Sequence, residues 1–418
     1  MDKILIRGGQ PLKGTIDASG SKNAALPILF SSILADAPCR FKRVPDLQDI
    51  KSALSLLGQL GAAVTDNTKN HEVAIDAAKL TSQEAPYDIV RKMRASAVVL
   101  GPLLARFGRA RVSLPGGCAI GARPINFHIS GLQKLGAEIE IDQGYVNARA
   151  SRLRGGRVPL EFPSVGATEN ILMAATLAKG ETIIENCAQE PEITDLARAL
   201  RAMGAEIEGE GTGTIKVQGR DGLHGCDYAI MGDRIEAGTF LAAAFATRGA
   251  VRVRGMSPEF IEAVLVKFEE AGAHVTRGDG WVELAGGARP KAVDTGTLPY
   301  PGFPTDMQAQ FMAVMCVAEG SSMITETIFE NRFMHVPELQ RLGADIRVRG
   351  NSAVVKGRAR LNGAPLMATD LRASASLIIG GLCARGETLV NRIYHLDRGY
   401  EAMETKLRAL GAEIERKR

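Results

Sequence analysis

No apolar run in the 418-residue sequence approaches the roughly 20 residues that a membrane-spanning helix requires. The opening MDKILIRG has neither a long apolar stretch nor a small-residue cleavage pattern, so no export signal is expected and a cytoplasmic location follows. The excess of basic over acidic residues is only +4, too small for a protein that holds nucleic acid by bulk charge. The six cysteines (Cys39, Cys118, Cys187, Cys226, Cys316 and Cys383) are scattered without a CxxC pair, and the six histidines form no HExxH. A disulfide framework is thereby excluded, and no zinc site is visible. There is no GxxxxGK[ST] phosphate loop; Gly14 and Gly20 precede Ser21 and Lys22 at the wrong spacing. The run from Gly209 to Gly213 stands before a strand-like segment and reads as a hairpin turn. Metal, cofactor, nucleic acid and membrane are thus all unexpected as partners.

What is present is a soluble globular composition, 45% hydrophobic and 23% charged, in a chain long enough for two or more domains. One short pattern recurs six times. Leu60-Gly61-Ala62 is followed by Leu135-Gly136-Ala137, Met203-Gly204-Ala205, Ala271-Gly272-Ala273, Leu342-Gly343-Ala344 and Leu410-Gly411-Ala412, with glycines 75, 68, 68, 71 and 68 positions apart. Self-similarity at such spacing signals repeated supersecondary units. Each copy reads as an amphipathic helix stopped by a glycine, with a strand beginning after it. Ala- and Leu-rich helices that also end in glycine precede each copy, so a unit reads helix, strand, helix, then two or more strands.

The last unit stops just after Ile414. Gly8, Leu12 and Gly14 match Gly357, Leu361 and Gly363 at one constant offset of 349 positions, which predicts that residues 1–21 complete it. Both chain ends then lie in one domain. Six units divide into two domains of three, 22–230 and 1–21 with 231–418, each α/β, with the cleft between them as the default ligand site. The Ala-rich helices begin at Lys22-Asn23, Arg94, Ser164-Val165-Gly166, Asp233-Arg234, Asp306 and Asp370-Leu371-Arg372. Helix N-termini favour anions, and several converging with Lys and Arg would bind phosphate or carboxylate. Taken one at a time, the Ser and Asp residues read equally as helix caps.

The segment 114–124, LPGGCAIGARP, carries one thiol, Cys118, and one guanidinium, Arg123, among three glycines and two prolines. That composition suits neither a helix interior nor a central strand. An exposed loop with cations nearby favours a reactive thiol, whereas most cysteines are inert core residues.

These motifs resemble the UDP-N-acetylglucosamine 1-carboxyvinyltransferase family of the enolpyruvyl transferases. The likeness runs essentially end to end. It is sharpest at Ser21–Pro27, the cysteine loop, Phe303–Gln310, Glu330–His335, Ala368–Ser374 and Asp397–Tyr400. It implies an inside-out α/β barrel in each domain, the domain 22–230 carrying the cysteine loop on the UDP-sugar side and the domain completed by the N-terminus being catalytic. It implies transfer of enolpyruvyl from phosphoenolpyruvate to the 3′-hydroxyl of UDP-N-acetylglucosamine with release of phosphate, the first committed step of peptidoglycan precursor synthesis, by a monomer. By resemblance Cys118 is the acid and Asp306 the base; helix capping after Pro304-Thr305 is a compatible second role for Asp306. Lys22, Asn23, Arg123 and Arg398 would hold phosphoenolpyruvate. Arg94, Arg123, Pro124, Ile125, Asn126, Phe127, Ser164, Val165, Gly166, Asp306 and Ile328 would hold the UDP-sugar. Arg332, Asp370 and Arg372 form either a charged network around the site or structural ion pairs. Asn126 and Phe162-Pro163 depart from the family pattern, where Asp and a Lys-containing pair are common; both lie on the nucleotide side, where the uracil and diphosphate contacts would fall, and leave the residues of the chemistry unchanged. An acceptor such as shikimate 3-phosphate, or a silent UDP-sugar sensor, are the competing readings.

Overall fold

Helix Arg234–Ala246 is buried along its whole length, as is Gln308–Met315, and a helix apolar on every side belongs in an interior. The computed structural model describes residues 2–114 and 125–418, Lys92 and the Arg94 side chain apart. The chain divides into two compact units: one contains the residues up to Ser19 and Gly232–Arg418, and the described residues of the other lie between Gly20 and Met231. Each has its own apolar core. In the first unit, Arg234–Ala246, Gln308–Met315 and Leu371–Cys383 pack against one another. In the second, Lys22–Ser31, Leu100–Phe107 and Val165–Ala175 take the corresponding places in the repeat.

Among the described residues there are six four-stranded sheets, three in each unit, and one additional two-stranded pair. One segment shows the plan: strand Arg157–Pro159, helix Val165–Ala175, strand Glu181–Glu185, helix Pro191–Ala202, then strands Glu206–Glu208 and Thr214–Gln218. The first two strands are parallel neighbours, Arg157 opposite Ile183, and a parallel pair needs a crossover, which the helix supplies. Thr214–Gln218 then pairs antiparallel with both Glu181–Glu185 and Glu206–Glu208. The glycine run at 209–213 is the hairpin connection, with Gly209 and Gly211 at φ of 83° and 79°. The unit therefore begins one strand earlier than the sequence pattern suggests: a strand that follows the closing hairpin joins another sheet of the same compact unit, as Asp227–Ala229 does by pairing parallel with Cys39–Lys42 of the first sheet.

The six repeat glycines all have left-handed backbones, φ lying between 89° at Gly136 and 102° at Gly61. At Gly61 the helix Gln48–Leu60 ends with the Gly61 N–H donating to Gly58 O and the Ala62 N–H to Leu57 O, both at 3.0 Å. A side chain would strain that conformation, so glycine recurs.

The N-terminal residues split between two sheets. Strand Lys3–Arg7 lies between Glu387–Asn391 and Glu413–Lys417, antiparallel to both, and completes the sixth sheet. Strand Lys13–Asp17 instead pairs parallel with Ala250–Arg254 and opens the fourth. The expectation that residues 1–21 all belong to the sixth unit is corrected accordingly. No helix among the described residues is long and apolar enough to cross a membrane.

Candidate functional site

In the unit containing Gly232–Arg418, the inner helices begin with polar residues. Asp233 caps Arg234–Ala246, its Oδ1 accepting from the Ile235 and Glu236 N–H groups at 2.9 Å. Asp370 caps Leu371–Cys383 in the same way, accepting from the Arg372 and Ala373 N–H groups at 2.9 and 3.0 Å. Asp306 differs. It lies in the 3₁₀ turn Thr305–Met307 that leads into Gln308–Met315, and neither element has a side-chain cap. The capping role considered for Asp306 is therefore not its role.

Both oxygens of Asp306 face guanidinium groups. Oδ1 accepts from Arg332 Nη2 and Oδ2 from Arg372 Nη2, each at 2.7 Å. The arginine side chains are 6% and 5% exposed and that of Asp306 26%. Burial pushes the Asp306 carboxyl up, but the two guanidiniums together outweigh it and hold the group well below the usual carboxylate range. Burial likewise works against the charge on Arg372, and Asp306 restores it, so its pKa is raised overall.

A second layer fixes both arginines. Arg332 Nη1 donates to Thr305 Oγ1 at 2.9 Å, and that hydroxyl donates to Glu326 Oε2 at 2.9 Å. Glu326 Oε1 accepts from Thr297 Oγ1 and from the N–H of Ile328, at 2.8 and 2.9 Å. Arg372 Nη1 donates to the Tyr400 hydroxyl at 3.3 Å. That hydroxyl, fully buried, lies 2.9 Å from Thr239 Oγ1 and accepts from Gln310 Nε2 at 3.1 Å. A buried network of this kind restricts side-chain geometry, although Gln310 Oε1 is buried without a hydrogen-bond partner. Arg398 closes the 3₁₀ turn Ile393–Arg398 and is half-buried.

In the unit spanning Gly20 to Met231, Ser21 caps Lys22–Ser31 through the Ala24 N–H. Lys22 Nζ lies 3.3 Å from Asp49 Oδ2 and is 13% exposed. Asn23 follows in the same first turn, half-buried. Arg94 opens the 3₁₀ segment Arg94–Val99. Ser164 caps Val165–Ala175 through the Ala167 N–H at 3.4 Å, with Val165 and Gly166 in its first turn. Ile125 precedes helix Asn126–Lys134, whose first residues are exposed Asn126 and half-buried Phe127. Phe127 stacks on Phe162, ring centres 6.5 Å apart. Cys118, Arg123 and Pro124 lie outside the described residues.

A further histidine reaches this second group. The Gly101 N–H donates to Asn170 Oδ1 at 2.5 Å, which orients the amide so that Nδ2 meets Ala97 O at 3.2 Å and His128 Nδ1 at 2.8 Å. His128 Nδ1 is then an acceptor, and the ring proton is assigned to Nε2. A Cβ built on Gly166 would lie 3.3 Å from that nitrogen. Burial lowers the His128 pKa to about 4.

The structure thus joins Asp306, Arg332 and Arg372 directly, reaches Ile328 through Glu326, and places His128 against Gly166. Asp370 contacts Arg372 through the backbone and acts as a cap. Sequence reading left out Thr239, Glu326, Asn170 and His128, and gave no role to Gln310, which closes the Phe303–Gln310 motif. Tyr400 stood in a quoted motif, but its partner Thr239 is 161 positions away. Among the described residues no cluster of three or more His, Cys, Asp or Glu side chains is placed to hold a metal ion.

Residues 6–407 match the family model described as EPSP synthase (3-phosphoshikimate 1-carboxyvinyltransferase). The chain is 56% identical over 418 residues to the UDP-N-acetylglucosamine 1-carboxyvinyltransferase of Shewanella amazonensis and 57% identical to that of Pseudoalteromonas atlantica, covering all of both chains in each case. Among solved structures it is similar to the enolpyruvyl transferase NikO from Streptomyces tendae, with TM-score 0.88 at 25% identity over 99% of this chain and 98% of that one. It also resembles an EPSP synthase from Acinetobacter baumannii, TM-score 0.76 at 19% identity over the whole of both chains, a likeness of fold alone.

Proposed function

The chain belongs to the UDP-N-acetylglucosamine 1-carboxyvinyltransferase family of enolpyruvyl transferases, and from that membership we infer that it moves the enolpyruvyl group of phosphoenolpyruvate onto the 3′-hydroxyl of UDP-N-acetylglucosamine, releasing phosphate, in peptidoglycan precursor synthesis. The observation that carries this reading is identity of 56–57% extending over the full length of the relatives. We place the reaction in the cytoplasm and in a monomer. The unit between Gly20 and Met231 takes the UDP-sugar side, and the unit containing the residues up to Ser19 and Gly232–Arg418 takes the base and part of the anion site.

The chemistry is addition followed by elimination. An acid protonates C3 of the enol phosphate, making C2 electrophilic, and the sugar hydroxyl attacks C2. Loss of phosphate from C2 and of a proton from C3 then restores the double bond. We assign the acid to Cys118; an ordinary thiol pKa of about 8.5 keeps it protonated at neutral pH. Asp306 is the base. Its depressed pKa keeps it ionised, and a carboxylate of low basicity still takes the proton, because the hydroxyl becomes strongly acidic as its oxygen bonds to C2. Arg332 and Arg372 fix its direction. Lys22, Asn23, Arg123 and Arg398 hold the carboxylate and the departing phosphate. Arg94, Arg123–Phe127, Ser164–Gly166 and Ile328 hold the UDP-sugar. Exposed Asn126 and the Phe127–Phe162 stack give the uracil end a less charged surface than Asp and Lys would provide.

A phosphate-release assay with two acceptors tests the proposal. Turnover with phosphoenolpyruvate and UDP-N-acetylglucosamine, and none with shikimate 3-phosphate, is expected. Binding of the UDP-sugar without turnover would replace this reading with that of a sensor.

A further inference from the structure

Arg416 stands in the last strand, Glu413–Lys417, opposite Ile4. Its side chain does not dissolve into solvent as those of most edge arginines do. Nη2 and Nη1 grip the two oxygens of Asp397 at 2.6 and 3.0 Å. Nε and Nη2 reach the two oxygens of Glu404 at 2.7 and 3.3 Å. The guanidinium is 26% exposed, Asp397 28% and Glu404 11%. Two forked contacts from one guanidinium are more than a strand needs, since its ladder to Lys3–Arg7 is already made.

The residue between these anchors matters. Asp397 directly precedes Arg398 in the 3₁₀ turn Ile393–Arg398. Two residues beyond Arg398, the Tyr400 hydroxyl is held by Arg372, Thr239 and Gln310. Between them, a Cβ on Gly399 would lie 2.6 Å from Leu371 Cδ2, so the backbone there approaches the start of the inner helix closely. Glu404 lies in helix Met403–Ala409, which follows. Arg398 is therefore carried on a short segment tied on one side by Arg416 and on the other by the network that also fixes Asp306.

We propose that Arg416 is a positioning residue for phosphoenolpyruvate binding: through its fork on Asp397 it sets the place of the Arg398 backbone, and so the aim of the Arg398 guanidinium at the substrate's anionic groups. The inference rests on the assignment of Arg398 as a phosphoenolpyruvate ligand. Positioning residues act by holding a group to within fractions of an ångström, and small misplacement costs binding of the group concerned, not of the whole substrate set.

The test is steady-state kinetics of the full chain with Arg416→Gln, Arg416→Lys, Asp397→Asn and the double variant Arg416→Gln/Asp397→Asn, alongside Arg398→Gln. Folding is followed by the fluorescence of Trp281, the one tryptophan. The expected result is a rise of about tenfold in KM for phosphoenolpyruvate in Arg416→Gln and in Asp397→Asn, with KM for UDP-N-acetylglucosamine within about twofold of the parent. Arg416→Lys should recover only part of it, because an ammonium cannot form the fork. The double variant should be no worse than either single one, as members of one contact are not additive. Unchanged KM for phosphoenolpyruvate in folded Arg416→Gln overturns the proposal. Should that variant not fold, Asp397→Asn, which leaves the Arg416–Glu404 contact in place, decides on the same criterion. A raised KM in Arg398→Gln with none in the Arg416 and Asp397 variants sinks the positioning role alone. No rise in Arg398→Gln removes the ligand assignment and the inference with it.

Discussion

Arg372 donates to Asp306 Oδ2 at 2.7 Å from a position where only 5% of its side chain meets solvent. Removing one member of a buried pair leaves the other charged and uncompensated, which costs about 3 kcal/mol or more. Asp306→Ala strands two guanidiniums, those of Arg332 and Arg372, and is expected to lower the denaturation midpoint clearly. Asp306→Asn retains an acceptor oxygen and should lose less stability. Turnover should fall in both by roughly a thousandfold, the scale of losing a general base. Asn at full activity would end the base assignment.

The same site has a defined dependence on pH. The folded-state pKa of Asp306 is depressed, so its contribution to stability is complete above the unfolded value of about 3.9 and is lost as pH falls through the lower folded value. The stability difference between the parent and Asp306→Asn is therefore expected to stay flat from pH 8 to about pH 5 and to shrink only below about pH 4. Chemical denaturation across that range reads it directly. A difference already shrinking at pH 6 would mean that the carboxyl is not held ionised.

His335 works in the opposite part of the range. Burial lowers its pKa to about 4, with Asp370 opposing and Arg332 assisting. Below its ordinary value of about 6.5 the unfolded chain takes up a proton that the folded chain refuses, so stability should fall between about pH 6.5 and 4 and the contribution should vanish in His335→Gln. An identical pH profile for the parent and the variant would show that His335 protonates freely in the folded chain.

How much of this could be read in advance differs from residue to residue. The glycines from Gly61 to Gly411 were legible because a left-handed helix end is a local demand, met within one turn. The closure of the sixth sheet by Lys3–Arg7 was legible because its repeat offset is constant. The destination of Lys13–Asp17 was not: five residues with one buried side chain specify a strand, not its neighbour. At the site, Asp306, Arg332 and Arg372 came from family likeness. Their meeting depends on contacts 26 and 66 positions apart, which no local period encodes. Tyr400 with Thr239, and Arg416 with Asp397, are of the same kind: ordinary polar residues given their role by packing.

His128 supplies a spectroscopic prediction. Because the Gly101 N–H fixes the Asn170 amide, and Asn170 Nδ2 faces His128 Nδ1 at 2.8 Å, the neutral ring should be the Nε2–H tautomer at pH 7, visible in the nitrogen shifts of labelled histidine. Asn170→Asp offers an acceptor to Nδ1 instead and should move the proton there. If the parent shows the Nδ1–H tautomer, the amide orientation assigned here is wrong.

Cys118 gives the sharpest chemical test of the acid assignment. Fosfomycin is an epoxide that mimics phosphoenolpyruvate, and a thiolate opens an epoxide at carbon to leave a stable thioether. Incubation of the protein with fosfomycin should add one equivalent of mass, localised to the peptide containing Cys118, while Cys39, Cys187, Cys226 and Cys316, all buried, stay unmodified. Cys118→Ala should take up none and lose turnover. Cys118→Asp keeps a proton donor without a nucleophilic sulfur, so it should resist alkylation and retain activity. Those two variants separate the possibilities: a thiol needed only as a nucleophile would leave Cys118→Asp inactive, and a thiol with no part in the reaction would leave Cys118→Ala at full rate.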